Sequence, residues 1–225
     1  MRKPESSAQF LRGRKNMDAQ KAKIIEAAIG LFQEYGVKFT MDQLARSLKM
    51  SKKTLYVVLK DKMTLYHEAV DYLFDSIKTS EQQVLQNQDL DPAERIRRLL
   101  GAMPERYRSL DFQKLYILRD KYPEIYRHLT ERLENDWEET IRLLEEGMES
   151  GVLRRFSIPV FKTMMESSLE RFFQQDVLVQ NGITYQEALD QVVGILVDGI
   201  RSEADHHKEE IGAGRCSEGN RMTGQ

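Results

Sequence analysis

Thr40 to Lys62, TMDQLARSLKMSKKTLYVVLKDK, decides how the rest of the chain is read. Thr40 followed three residues later by Gln43 is a capping box, in which the hydroxyl and the amide side chain satisfy each other's backbone N–H groups and start a helix. That helix is short, with Leu44, Ala45 and Leu48 on one face. Lys49 and Met50 make a turn, and Ser51 can cap a second helix whose Leu55 and Leu59 point inward at i, i+4. Two caps this close predict two crossing helices, a helix-turn-helix.

With Leu55 and Leu59 facing the core, Lys52, Lys53, Thr54, Tyr56, Val57 and Val58 are left on the outside or flanks of the second helix. The N-terminal end of such a helix fits the major groove of duplex DNA. There Lys reaches guanine O6 and N7, hydroxyls reach phosphates or base edges, and the helix dipole favours phosphate. A plainer reading stands beside this one: a solvated lysine face, with Tyr56 packed on a neighbouring helix.

The surrounding residues resemble a family. Phe32, Tyr35-Gly36, Thr40, Leu44-Ala45, Ser51, Thr54-Leu55-Tyr56 and Lys62 are similar to the DNA-binding head of tetracycline-repressor (TetR) type regulators, over roughly Asp18 to Val70. The resemblance implies that Thr54 and Tyr56 contact phosphate, that Leu55 is core, that Lys62 grips the DNA backbone, and that Thr40 adds a phosphate contact. It also implies that Lys52, Lys53, Val57 and Val58 help set the sequence that is read. Departures concern the turn and the end of the recognition helix. Where the family usually has Gly, this chain has Lys49, so either Lys49 takes a left-handed conformation or the turn differs. Leu59 stands where an aromatic is common, and Val57 and Val58 offer only apolar contacts, such as those to thymine methyls.

Composition agrees with a helical protein in two parts. The 225 residues suffice for a sizeable core, Pro and Gly are few at 5 and 13, and apolar residues recur at three and four, which predicts an all-α fold. No apolar run reaches membrane-spanning length and the charged N-terminus lacks an apolar signal core, so the expectation is a cytoplasmic protein with no membrane partner. The single Cys216 cannot form an internal disulfide, which fits a reducing compartment. The net charge of −2 conceals an asymmetry: residues 1–66 hold 14 Lys and Arg against 6 Asp and Glu, the remainder 20 against 30. A polyanion is therefore drawn to one end only.

In chain order, 1–16 reads as a basic, disordered arm, either a DNA-contacting extension or a leader. Asn16 or Asp18 then caps a scaffold helix ended by Gly36, and 17–64 is the DNA-binding head. After Lys62, the series Leu65, Ala69, Leu73, Ile77 and Val84 describes one long helix leading into a helical body, 65–207. Asp91-Pro92 opens the next helix. Pro92 to Arg155 reads as three helices, broken near 104–109 and at Tyr122-Pro123, and is rich in aromatics. The resemblance places an effector cavity here, and Tyr116, Arg119, Tyr126 and Trp137 are its candidate walls because they combine apolar surface with a polar handle. Ile158-Pro159 and the Thr184/Glu187 capping box open two further helices. The last is apolar around nearly its whole circumference, and is either wrapped by its own domain or buried against a second copy. The resemblance favours a four-helix dimer interface, with Met165, Leu169, Phe172, Leu189, Val193, Leu196 and Ile200 as its candidates. Residues 208–225 read as a disordered tail.

No catalytic residue, cofactor or metal site is expected. His67, His128, His206 and His207 show no metal-binding spacing above chance, no phosphate loop or nucleophile elbow is present, and the acidic run Glu131 to Glu149 reads as the solvated face of a long helix. What the sequence and its resemblance imply together is a ligand-responsive, homodimeric regulator bound to a palindromic duplex operator and released by a largely apolar small molecule. Repression rather than activation rests on the resemblance alone. A helical protein-interaction adaptor, a regulator without a small-molecule ligand and a small helical enzyme are the other readings.

Overall fold

The computed structural model describes residues 7–202 apart from 88, 136, 175 and 176, with side chains from residue 18 onward. Every regular element among them is helical, and the one isolated bridge joins Leu153 to Arg201, so the fold is all-α. Helices α1 (Ser7–Tyr35), α2 (Met41–Ser47) and α3 (Lys52–Val58) make the head, and α4 (Lys62–Gln86) carries the chain out of it. The body comprises α5 (Pro92–Leu100), α6 (Ile117–Lys121), α7 (Pro123–Asn135), α8 (Glu138–Glu149), α9 (Ile158–Gln174), α10 (Val177–Gln180) and α11 (Tyr185–Ile200), with 3-10 turns at Glu105–Tyr107 and Phe112–Tyr116.

Local capping chemistry accounts for most of the boundaries. Thr40 Oγ1 accepts from the Gln43 amide at 3.2 Å while Gln43 Oε1 accepts from the Thr40 amide at 2.7 Å. Ser51 Oγ accepts from the Thr54 amide at 3.1 Å, and Asp91, with Pro92 at the first helical position, caps α5. The Thr184/Glu187 box is likewise formed. Asp61, which the sequence reading passes over, caps α4 through the Thr64 amide at 2.7 Å.

Three expectations about the helices differ from the structure, the first being that Pro92 to Arg155 holds four α-helices, α5 to α8, rather than three. Helix α1 starts at Ser7 rather than at Asn16 or Asp18, because Ser7 to Asn16 has no proline and is rich in the helix formers Ala, Gln, Leu, Arg and Lys. Residues 7–16 of the expected arm are thus helical, while 1–6 and the expected tail at 208–225 lie outside the described residues. The acidic stretch from Glu131 to Glu149 is not one long helix but parts of α7 and α8, which meet at Trp137. Trp137 turns inward there, buried, with Nε1 donating to the Leu133 carbonyl at 3.2 Å.

The turn between α2 and α3 resolves the choice left by the missing glycine. Lys49 takes φ +52°, the left-handed region that a side chain enters at a cost of about 1 kcal/mol. Lys49→Gly is therefore expected to stabilise the protein by about 0.5–1 kcal/mol, after Gly's own entropic penalty. Urea denaturation checks this, and a lower midpoint for the variant would show that the turn is unstrained.

Helix α4 packs on α1 at one side and on α5 and α7 at the other; α5 packs on α8 and α11, and α11 on α9. Buried apolar side chains from Ile24 to Ile200, Leu178 and Ala188 apart, form one connected cluster, so the expected boundary at 64/65 falls inside α4 with core continuing across it. Polar ties reinforce this joint. Glu26 of α1 accepts from Tyr72 Oη at 2.9 Å and pairs with Arg106 at 3.2 Å. Gln33 Oε1 accepts from the Asp111 amide at 2.8 Å, and its carbonyl accepts from Lys114 Nζ.

Candidate nucleic-acid interface

The head presents α3 outward because its inner face is filled. Leu55 is 0 % exposed, and Leu59 is buried with it in the core that also holds Leu44 and Phe39. That orientation leaves Ser51, Lys52, Lys53, Thr54 and Tyr56 exposed, and Val57 at 74 % is the most exposed large apolar side chain among the described residues of the head. Ser51 Oγ and Thr54 Oγ1 lie 2.8 Å apart, so the two hydroxyls sit side by side over the first turn. Thr40, also exposed, opens α2. The first turn of α3 contains no acidic residue, and its free N–H groups, two lysines and hydroxyls make one anion-attracting edge. Lys52 is not wholly free: its Nζ pairs with Asp42 of α2 at 2.5 Å.

Lys62 is a correction. Expected to grip DNA, its ammonium is turned inward, donating to the Val37 carbonyl at 2.7 Å and to the Phe39 carbonyl, 4.3 Å above the Phe39 ring. It satisfies carbonyls at the end of the 3-10 turn Gly36–Lys38, and its partial burial lowers its pKa from the ordinary lysine value. Lys62 thus holds α4 to the turn before α2.

Two adjoining cavities, one of about 120 Å³ in the body and one of about 60 Å³ where α1 meets α4 and the body, share Leu73, Phe112, Leu115 and Leu129. Trp137 lines the larger. Tyr116, Arg119 and Tyr126 do not line either one. Tyr116 and Tyr126 meet edge to face at 6.1 Å and the Arg119 guanidinium lies 4.2 Å over Tyr116, so these three pack together in a separate cluster. The walls are chiefly Leu, Ile, Phe and Met, with Lys78, Glu81, Arg132 and Thr140 as polar members of the larger cavity.

The dimer candidates also divide. Met165, Leu169, Leu189, Val193 and Ile200 are buried within the subunit, and Phe172 and Leu196 are half-buried. Both helices are apolar on two faces, and helical spacing does not say which face turns inward. The outer apolar side chains are Val160 and Met164 on α9 and Ile195 on α11, the last 72 % exposed.

One grouping escapes the sequence reading. His67 Nδ1 lies 3.2 Å from Asp71 Oδ2, and His128 Nε2 lies 2.8 Å from Asp71 Oδ1. The two imidazoles stack at 3.8 Å between centroids. The available signal is the four-residue spacing of His67 and Asp71 on one helix face; His128 arrives from α7 only through the fold.

Residues 24–69 match bacterial regulatory proteins, tetR family. An HTH-type transcriptional regulator of Bacillus subtilis (strain 168), YvaF, itself uncharacterized, is 24% identical over 183 residues, covering 81% of this chain and 96% of the relative. Two solved structures share the fold. The TetR family transcriptional regulator PfmR from Thermus thermophilus has a TM-score of 0.55 at 21% identity, over 80% of this chain and 99% of its own. A regulator of the TetR/AcrR family from Thermobifida fusca YX-ER1 has a TM-score of 0.59 at 21% identity, over 82% and 100%. Among the described residues no helix is long and apolar enough to cross a membrane. A capped helix-turn-helix that lies within this match, on a helical body of the same fold, identifies a transcriptional regulator whose DNA-binding head is similar to that of the tetR family of bacterial regulatory proteins.

Proposed function

We propose that the chain is a repressor that binds a palindromic operator as a homodimer and is released by a small, largely apolar effector. The observation that carries this reading is the exposed first turn of α3, where Lys52, Lys53, Thr54 and Tyr56 stand together on the basic end of an otherwise acidic chain. Phosphate contacts supply affinity there, and Lys53, Val57 and Val58 read the groove. Repression rather than activation follows the family resemblance.

Dimerisation is supported by the outer face of α9 and α11. Val160, Met164 and Ile195 are exposed together with Gly199, where an added Cβ meets nothing within 4 Å. A second copy covers that face and sets the two heads at the separation of successive major grooves, roughly 34 Å. Release is supported by the position of the cavities. Phe112 and Leu115 wall both of them and lie on the short turn whose Asp111 and Lys114 hold Gln33 of α1. An effector that prefers a widened cavity displaces this turn and α1 with it, so the heads no longer match the grooves.

The deciding experiment is selection of bound sequences from a random duplex pool, followed by the stoichiometry on the selected site. An inverted repeat bound by two or four chains is the expected result. Recovery of nothing specific at moderate salt overturns the reading in favour of a helical protein-interaction adaptor, whose function then lies in the body.

A further inference from the structure

Helix α4 faces α7 with His67 and Asp71 one turn apart, and α7 answers with His128 and, one turn on, Arg132. The polar atoms here are arranged around the Asp71 carboxylate. His67 Nδ1 lies at 3.2 Å and His128 Nε2 at 2.8 Å from its two oxygens, and Arg132 Nη1 donates to Oδ1 at 2.8 Å while its Nη2 donates to Asp75 at 3.0 Å. Two imidazole nitrogens and one carboxylate oxygen are the donor set of an open transition-metal site, one in which solvent completes the coordination. The candidate donor atoms lie within 4.8 Å of one another. Ligands bound at about 2.0–2.2 Å to one ion must lie within roughly 4 Å of each other, so a small rotation of the stacked rings closes the set.

We propose that His67, Asp71 and His128 form a binding site for one divalent transition-metal ion of the zinc class, bridging α4 to α7. The ion takes the place of the hydrogen bonds between the two imidazoles and Asp71, each imidazole turning a nitrogen lone pair to the metal. Arg132 is a positioning residue: it orients the carboxylate, and Asp75 offsets the charge that it brings close to the ion. Solvent reaches the site past His67, whose side chain is 53 % exposed. A hard ion such as magnesium is a poor match, because it prefers a shell of oxygens to imidazole.

The consequence for regulation rests on the operator-binding reading above. Helix α4 leaves the head directly, and His67 lies within the family match at 24–69, so a metal clamp between α4 and α7 fixes the helix that connects head and body. Binding of the ion itself involves no DNA, so failure of the site and failure of that reading are distinguishable.

The test is a titration of chelator-stripped, full-length protein with Co²⁺, followed by its visible absorption and by competition with Zn²⁺. The expected result is one saturable equivalent per chain, displaced by zinc. His67→Ala and His128→Ala each weaken it more than tenfold, and a His206→Ala/His207→Ala double variant binds within twofold of the native chain. His67 is exposed enough for His67→Ala to fold, which far-UV circular dichroism checks; if His128→Ala unfolds, His67→Ala decides alone. Absence of a saturable cobalt signal, retention of native affinity by His67→Ala, or loss of binding in the double variant overturns the proposal.

Discussion

Lys53→Ala and Tyr56→Ala combined are expected to weaken operator binding roughly a hundredfold or more, with no change in thermal stability. Both side chains are exposed on the first turns of α3, so neither substitution opens the core. A hydrogen bond to a charged group contributes about 1.5–3 kcal/mol, and removing two such bonds together gives a hundredfold or more at about 1.4 kcal/mol per tenfold. The two residues should also separate by salt. Lys53→Ala removes a released counterion and flattens the slope of log affinity against log salt by about 0.9, whereas Tyr56 is neutral and its loss lowers the line without tilting it. Lys52→Ala should cost less than Lys53→Ala, because Lys52 must first give up Asp42 to reach DNA. Binding curves at four or more salt concentrations check all three. An unchanged affinity for the double variant would mean that α3 is not the reading helix.

The parts of this molecule legible in the sequence are those decided within one turn of chain. Thr40 with Gln43, Ser51, Asp91-Pro92 and Thr184 with Glu187 set helix starts through contacts three residues long, and each forms as the spacing predicts. What spacing misses is the direction a side chain takes when its partner is distant. Lys62 turns inward to carbonyls of Val37 and Phe39, which lie 25 and 23 residues earlier. Tyr116, Arg119 and Tyr126 have the chemistry of a pocket wall but find each other instead. On α9 and α11 five of the seven dimer candidates are buried in their own subunit, because a helix apolar on two sides gives no sign of which side its own domain takes. His128 meets Asp71 across 57 residues, beyond any local pattern.

Leu55→Ala should remove DNA binding through the fold rather than through contact. Leu55 is 0 % exposed and is the buried residue by which α3 joins the core that also holds Leu44 of α2, and deleting such a buried side chain costs about 2–5 kcal/mol. Helices α2 and α3 are seven residues each, too short to persist without that packing, while the body keeps its own packing through α5, α8 and α11. The loss should therefore appear locally. Hydrogen exchange of the Leu59 amide, which donates to the Leu55 carbonyl at 2.9 Å, is expected to quicken by roughly thirtyfold to several thousandfold, with much smaller changes in α8. Val57→Ala, two residues away on the outer face, should leave exchange unchanged and alter only which bases are preferred. Equal acceleration in α3 and α8 for Leu55→Ala would show instead that head and body open as one unit. The continuous core through α4 and the Glu26 and Gln33 ties would then govern cooperativity, and a strain applied at the cavity would reach α3 without loosening it first.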